Sequence, residues 1–246
     1  MTNKKYLVSC GCSWVAGDGC SVESLTLSSL IAKHFNLENI NLAESGASQD
    51  FTLRKITHWL SNNQDKSNET FILIGLTGPP RYEYWYDRQK DYAKGHPLNE
   101  IVDDKLHIKF SEFHRLWVGL NVPQMWKTYQ IIIQLKALAK YYGSEILIFD
   151  SLQEFLGDIS SYNEKLTKYN IEPHNPFSEI DTTLLFDKHF YPISWCKTIG
   201  GYYQDNQNNP DVLQYYNHKE NDGHPNIKGN ELMSEMLIKH IKENYD

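Results

Sequence analysis

The order of apolar and polar positions along the chain predicts alternating strands and helices. Tyr6–Cys10 is a short apolar run stopped by Gly11, the pattern of a buried strand meeting a tight turn. Leu27, Leu30, Ile31 and His34 then recur at helical spacing, which places them on one face of a helix. The unit repeats. Asn39–Leu42 reads as a strand, Ser45-Gly46-Ala47 as a loop, and Ser48 as the N-cap of a helix carrying Leu53, Ile56 and Leu60. Phe71–Gly75 is a third strand, closed by Gly78-Pro79-Pro80, because two prolines continue neither helix nor sheet.

Residues 81–123 have no clean period and are rich in Tyr and Trp. The longest helical signal follows, with Ile131, Leu135, Leu138 and Tyr142 on one stripe and Gly143 as the stop. Glu145–Phe149 is a fourth strand. Residues 151–221 read as loop, with Gly200-Gly201, the polar tract Gln204–Asn209 and a fifth strand near Thr182–Phe186. Asn230–Lys242 reads as a final helix, with Met233, Met236, Leu237 and His240 on its inner side.

Strands alternating with helices imply right-handed crossovers and an α/β fold, a three-layer αβα sandwich around a mostly parallel sheet of about five strands. Residues 1–246 are read as one domain with insertions at about 81–123 and 151–221. Ligands of such sheets bind beyond the carboxyl ends of the strands. The segments to search for chemistry are therefore Gly11–Gly19, Glu44–Ser48, Leu76–Arg81 and Asp150–Leu152.

Charge narrows the partners. A formal net charge of -7 leaves no overall basic field, so no nucleic-acid partner is expected. No apolar run approaches the ~20 residues of a membrane span, and Met1–Lys5 leads straight into the first strand instead of a signal-peptide core. A soluble protein, cytoplasmic or virion-associated, with no membrane partner, is the expectation. Cys10, Cys12 and Cys20 crowd around the first strand and turn, far in sequence from Cys196, and are read as reduced thiols. Their spacing lacks the paired Cys-x-x-Cys or His-x3-His of a zinc site, so no metal is expected.

Ser13 directly follows the first strand in Gly11-Cys12-Ser13. A hydroxyl there projects from a rigid element and its own N–H faces the same space, so one residue can supply a nucleophile and an oxyanion donor. The same serine read alone caps a turn. Asp222-Gly223-His224-Pro225-Asn226, with Gly229, alters that balance. His224 is bracketed by turn formers just before the last helix, which suits an imidazole reaching across strand ends to a serine.

Together these segments resemble the SGNH (GDSL-like) hydrolases. Gly11–Gly19 resembles the family's nucleophile block, Asn41–Ser48 its glycine block and Asp222–Gly229 its C-terminal acid and histidine block, in the family's order. The resemblance implies a flavodoxin-like SGNH hydrolase fold and a serine esterase with Ser13 as nucleophile and His224 as general base. It implies backbone donation to the oxyanion from Ser13 and Gly46, and no cofactor. Two departures stand out. Where the family presents Gly-x-Asn-Asp after the third strand, this chain has Gly75-Leu76-Thr77-Gly78, which puts Thr77 in the slot of the third oxyanion donor. The slot three residues before the histidine, where the family's acid generally lies, holds Asn221, with Asp222 one residue later. Asp222 is the candidate orienter of His224; Asn221 or a backbone carbonyl is the alternative.

Arg81, Tyr82 and Trp85, just past the third strand, are candidate substrate contacts, the arginine near the oxyanion and the rings stacking on sugars. The same rings can equally pack the insertion onto the domain. No aliphatic-rich lid is evident, so small acyl esters, such as O-acetylated carbohydrate, are the expected substrates. The rival reading is an inactive module with a binding or structural role in a larger assembly, for example a phage particle. A nucleotide loop at Gly11–Gly19 is disfavoured, because the segment lacks both Gly-Lys-Ser/Thr and Gly-x-Gly-x-x-Gly. The oligomeric state has no signature in the sequence.

Overall fold

A computed structural model of the chain describes residues 1, 3–78, 81–86, 91–95, 121–151, 187–191, 208–217 and 222–245; at 82, 84–86, 91–95, 121–125 and 222 it describes the backbone. The element order is β1 (Tyr6–Cys10), α1 (Ser13–Ala16), α2 (Leu27–Phe35), β2 (Glu38–Asn41), α3 (Gln49–Asn62), α4 (Gln64–Ser67) and β3 (Thr70–Leu76). There follow β4 (Tyr82–Tyr86), β5 (Asp91–Gly95), α5 (Asn121–Tyr142), β6 (Glu145–Asp150), β7 (Phe190–Tyr191), α6 (Pro210–Leu213), β8 (Tyr216–Asn217), β9 (Asp222–Pro225) and α7 (Ile227–Tyr245).

Five strands form one sheet in the order β2-β1-β3-β6-β7, every neighbouring pair parallel. Helices cover both faces, so the central strands read as unbroken apolar runs and all seven residues of β3 are buried. Strand alternation divides the core in two. Val8, Ile72, Ile74, Ile146 and Ile148 face α3 and α5, where Phe51, Ile56, Leu60, Ile132 and Leu135 meet them. Leu7, Phe71, Leu73, Leu147 and Phe149 face α2 and α7, against Leu27, Ile31, Leu237 and Ile241. Each fully buried aliphatic side chain contributes about 1.5–3 kcal/mol, and these two layers hold the sheet's strand ends in place.

The architecture is the expected α/β sandwich, with local differences. On α2 the buried stripe is Leu27, Ser28, Ile31 and Ala32; Leu30 is half-buried and His34 exposed, because the helix turns its 28/32 edge toward the sheet. The second strand is Glu38–Asn41, one residue earlier than its apolar pattern suggested, and it lies at the sheet edge, largely exposed. Ser48 caps α3 as expected, its hydroxyl accepting from Phe51 N–H at 3.1 Å. The strand expected near Thr182–Phe186 lies outside the described residues, and the fifth strand of the sheet is β7. Part of the aperiodic stretch 81–123 forms the antiparallel pair β4 and β5, and α5 begins at Asn121, well before the apolar stripe that signals it.

The last helix runs from Ile227 to Tyr245, longer at both ends than its apolar stripe. Met233 and Leu237 are buried on it, with Met236 and His240 flanking at partial exposure. No helix among the described residues is long and apolar enough to cross a membrane. Tyr245 closes α7 onto the amino-terminal edge of the sheet, its hydroxyl donating to Ile146 O at 2.6 Å. Burial pushes this phenol above the ordinary tyrosine range. Between the unfolded and folded values only the folded chain keeps that proton, so stability falls as pH rises through that window. Tyr245→Phe is expected to cost about 1–2 kcal/mol at pH 7 and to flatten the decline above about pH 10, measured by urea denaturation at pH 7 and pH 10.5.

Candidate active site

Ser13 is the first residue of α1, directly beyond the carboxyl end of β1, and is 4% exposed. The first N–H groups of a helix have no acceptor within it, so the Ser13 N–H is available for an outside acceptor. Cys12, at the N-cap, is fully buried, its sulfur 3.9 Å from Ser151 Oγ at the end of β6. Ser151 Oγ in turn donates to Leu76 O at 2.5 Å. The serine's turn is therefore moored to the ends of both β3 and β6.

The seating of α1 depends on a missing pair of β-carbons. Val15 rests on Gly11 and Gly75, at the ends of β1 and β3. A β-carbon on Gly11 would stand 2.7 Å from Gly75 O and 2.8 Å from Val15 Cγ2, both too close for any real side chain.

His224 sits on β9, which pairs antiparallel with β8; it occupies a short strand where the sequence suggested a loop. The turn after it is tied down by two asparagines whose roles the sequence did not reveal. Asn226 caps α7, its Oδ1 accepting from Gly229 N–H at 3.1 Å, while its amide donates to Gln214 O and Tyr216 O, each at 2.8 Å. Asn230, 2% exposed, donates to Pro225 O at 3.3 Å and accepts from Leu27 N–H at 3.0 Å, so it joins the histidine's strand to the start of α2. Asparagine at a helix start is a signal sequence can carry for Asn226. The reach of Asn230 to a residue 203 positions away is not.

The strand bearing His224 packs against α1, the helix that begins at Ser13. Trp14 meets Tyr216 of β8 edge-on, with ring centroids 6.3 Å apart. Gly19 lies against the histidine itself: a β-carbon there would fall 2.6 Å from His224 Cβ.

The expected oxyanion donors lie along the same edge. Gly46 is exposed, in the left-handed conformation with φ of 72°, and nothing lies within 4 Å of the point where a β-carbon would project. Its loop touches the turn that leads to Ser13 through Glu44 N–H, which donates to Gly11 O at 3.2 Å. Thr77 is 3% exposed just past β3, and its hydroxyl has no hydrogen-bond partner among the described residues. Arg81 reaches back to the glycine loop, with Nη1 3.5 Å from Ala47 O. Tyr82 and Trp85 fall on β4, described as backbone, and Glu83 between them makes a two-point ion pair with Arg54 of α3, both contacts at 2.9 Å. The side chain of Asp222 and the whole of Asn221 lie outside the described residues, as does Cys196. Cys10, Cys12 and Cys20 are free thiols, and burial pushes Cys10 up to about 12, which keeps it protonated and unreactive.

Beside this edge a cavity of about 540 Å³ opens between Gly19–Ser21 and the β8–α7 segment. Gln214, Asn217 and Asn226 line it together with Lys228.

No protein-family model matches the sequence, and no curated protein matches it. Solved structures do match in shape. One entitled "Crystal Structure of TesA" superposes with a TM-score of 0.55 at 13% identity, over 97% of this chain and 99% of that one. The psychrotrophic esterase EstA from Pseudoalteromonas sp., inhibited by monoethylphosphonate, gives 0.50 at 15% identity over 98% of both chains. The acetyl xylan esterase Est2A from Butyrivibrio proteoclasticus gives 0.51 at 11% identity, over 97% of this chain and 64% of its own. The fold is SGNH-hydrolase-like. At these identities the likeness is one of fold, and the chemistry must be argued from the residues themselves.

The closeness of Gly19 to His224 yields a test. With φ of 84°, Gly19 holds a backbone conformation that costs an L-residue about 1–2 kcal/mol, and an added methyl must push His224 aside. Gly19→Ala is expected to lower stability by that order and, under the esterase function proposed below, ester turnover by about 10²-fold, the scale of an ångström's displacement at a reacting group. Thermal unfolding and p-nitrophenyl acetate kinetics measure the two effects separately.

Proposed function

We propose that the chain is a serine ester hydrolase acting through an acyl-serine intermediate. The observation that carries this reading is the packing of α1, which begins at Ser13, against the strand that bears His224, at the edge where Gly46 and Thr77 also lie. His224 accepts the Ser13 hydroxyl proton as Oγ attacks the ester carbonyl, and the carbonyl electron pair moves onto oxygen. The N–H groups of Ser13 and Gly46, with the Thr77 hydroxyl, receive that oxyanion. Collapse expels the alcohol, which takes the proton from His224. Water, deprotonated by His224, then attacks the acyl-serine and releases the acid. Asp222 holds the Nδ1 proton of His224 and stabilises the imidazolium.

Thr77 supports this assignment through its energetics. A buried hydroxyl without a partner costs about 1–3 kcal/mol, and an arriving oxyanion removes that cost at the moment charge develops. The second reading, a catalytically weak module with a structural role, is favoured by the same residue, because a hydroxyl reaches less far than the family's amide.

Small acyl esters of hydroxylated alcohols, O-acetylated carbohydrate among them, are the substrate class. The cavity beside Gly19 supports this, lined by amides, Ser21 and Lys228, and so suited to hydroxyl groups more than to an acyl chain. The acetyl xylan esterase of similar fold points the same way.

Labelling with a fluorophosphonate tests the nucleophile. Covalent modification confined to Ser13, with turnover abolished in Ser13→Ala and stability altered by about 1 kcal/mol or less, is the expected result. An unlabelled protein would establish the structural reading instead. The acid is tested separately. Asp222→Asn is expected to lower turnover by up to about 10⁴-fold at neutral pH, because the amide favours the wrong imidazole tautomer, while Asn221→Ala has a minor effect; the reverse ranking transfers the role to Asn221.

A further inference from the structure

Behind Thr77 lies a buried polar relay that the reaction scheme leaves unused. Gln49, the first residue of α3, is 4% exposed, and its side-chain amide donates from Nε2 to the main-chain carbonyl of Thr77 at 3.1 Å. Its Oε1 accepts from Thr128 Oγ1 of α5 at 2.8 Å, and Thr128 is 1% exposed. The amide's orientation follows from chemistry. A carbonyl only accepts, so the atom facing Thr77 O must be the NH₂ end, and the oxygen is left for the threonine hydroxyl.

Two aspects of this relay exceed the needs of packing. Apolar side chains would fill the same space between α3, α5 and β3 without desolvating an amide. The relay also joins the parts that hold the oxyanion: Gln49 lies three residues after Gly46, behind the Ser48 cap, and grips the peptide of Thr77. One side chain therefore ties the loop that offers the Gly46 N–H to the residue that offers a hydroxyl.

We propose that Gln49 is a positioning residue of the oxyanion hole, holding the Thr77 peptide in register with the Gly46 loop, with Thr128 fixing the orientation of its amide. This rests on the esterase reading, in which Gly46 and Thr77 are the donors. A short threonine hydroxyl tolerates less misplacement than a longer amide does, so its backbone must be held from behind.

Gln49→Glu tests the relay because it keeps the shape and alters one end. An ionised carboxylate still accepts from Thr128 but has no hydrogen for Thr77 O, and it repels that carbonyl. The protonated acid donates to Thr77 O while accepting from Thr128, which restores the relay. Burial raises the pKa of such a carboxyl. The rate of Ser13 labelling by a fluorophosphonate, as a ratio of variant to wild type, is therefore expected to be near unity at pH 5 and to fall about tenfold or more by pH 8, the scale of one lost hydrogen bond. With p-nitrophenyl acetate the loss is expected in kcat, with KM little changed.

Wild-type protein that is not labelled at all sinks the esterase reading and this role with it. Labelled wild type with a Gln49→Glu ratio of unity at both pH values overturns the role of Gln49 alone. A ratio that is low and independent of pH assigns the loss to disturbed packing and also overturns it. Should Gln49→Glu fail to fold, Thr128→Val and Thr128→Ser decide: a loss in the valine variant restored by serine supports the relay, and equal rates in the two reject it.

Discussion

The position of α1 rests on the contact between Val15 and the bare backbone of Gly11 and Gly75. These glycines end two adjacent parallel strands, and the valine lies in the hollow that their missing side chains leave. Every other feature of the candidate site is referred to this contact. It sets the height of Ser13 above the sheet and brings the first turn of α1 near the end of β6, where Cys12 meets Ser151. The strand that carries His224 packs against the same short helix. Close-packed interiors yield little to added volume. A methyl group at either glycine would therefore displace the helix, and Ser13 with it.

Beyond that contact, polar atoms carry much of the positioning. Asn226 and Asn230 together fix the turn after His224 through bonds to four segments, α2, the 214–216 stretch, Pro225 and α7. Glu44 and Arg81 join the glycine loop to its neighbours on either side. Buried or half-buried amides used in this way hold a loop in one arrangement, which apolar packing alone does less sharply. The proposed hydrolytic role needs that sharpness, because reacting atoms must be held to a fraction of an ångström.

The layers of the fold were legible in the sequence because both faces of the sheet are covered. Phe71–Gly75 and Glu145–Phe149 stand out as apolar runs for that reason, and the caps and stops at Ser48 and Gly143 are local signals. The glycine and histidine blocks stand out in the sequence because they are punctuated by turn formers. The edge strand β2 was legible to within one residue, and the side chains of Asn39 and Asn41, bonded to α2 and α1, add to its pairing with β1. Two other features were not legible. The ladder under His224 comprises two residues of β8 and their partners on β9, too short a pairing to leave a period. Gln49 reads as an ordinary polar residue in the first turn of a helix. Its role depends on Thr128, 79 positions away, and nothing within a local window reports such a partner.

Among the described residues the ribbon of β8 and β9 pairs with itself and not with the five-stranded sheet. The two halves of the proposed Ser–His pair therefore belong to parts of the molecule with different resistance to local opening. Ser13 follows the buried central strands, whereas His224 rides on a two-stranded element that Tyr216 anchors in the core and that the amides of Asn226 and Asn230 tie to its neighbours. Short ribbons of this kind open at lower free energy than central strands. Mild heat or denaturant would then part His224 from Ser13 while the sheet still shields its amide hydrogens from exchange.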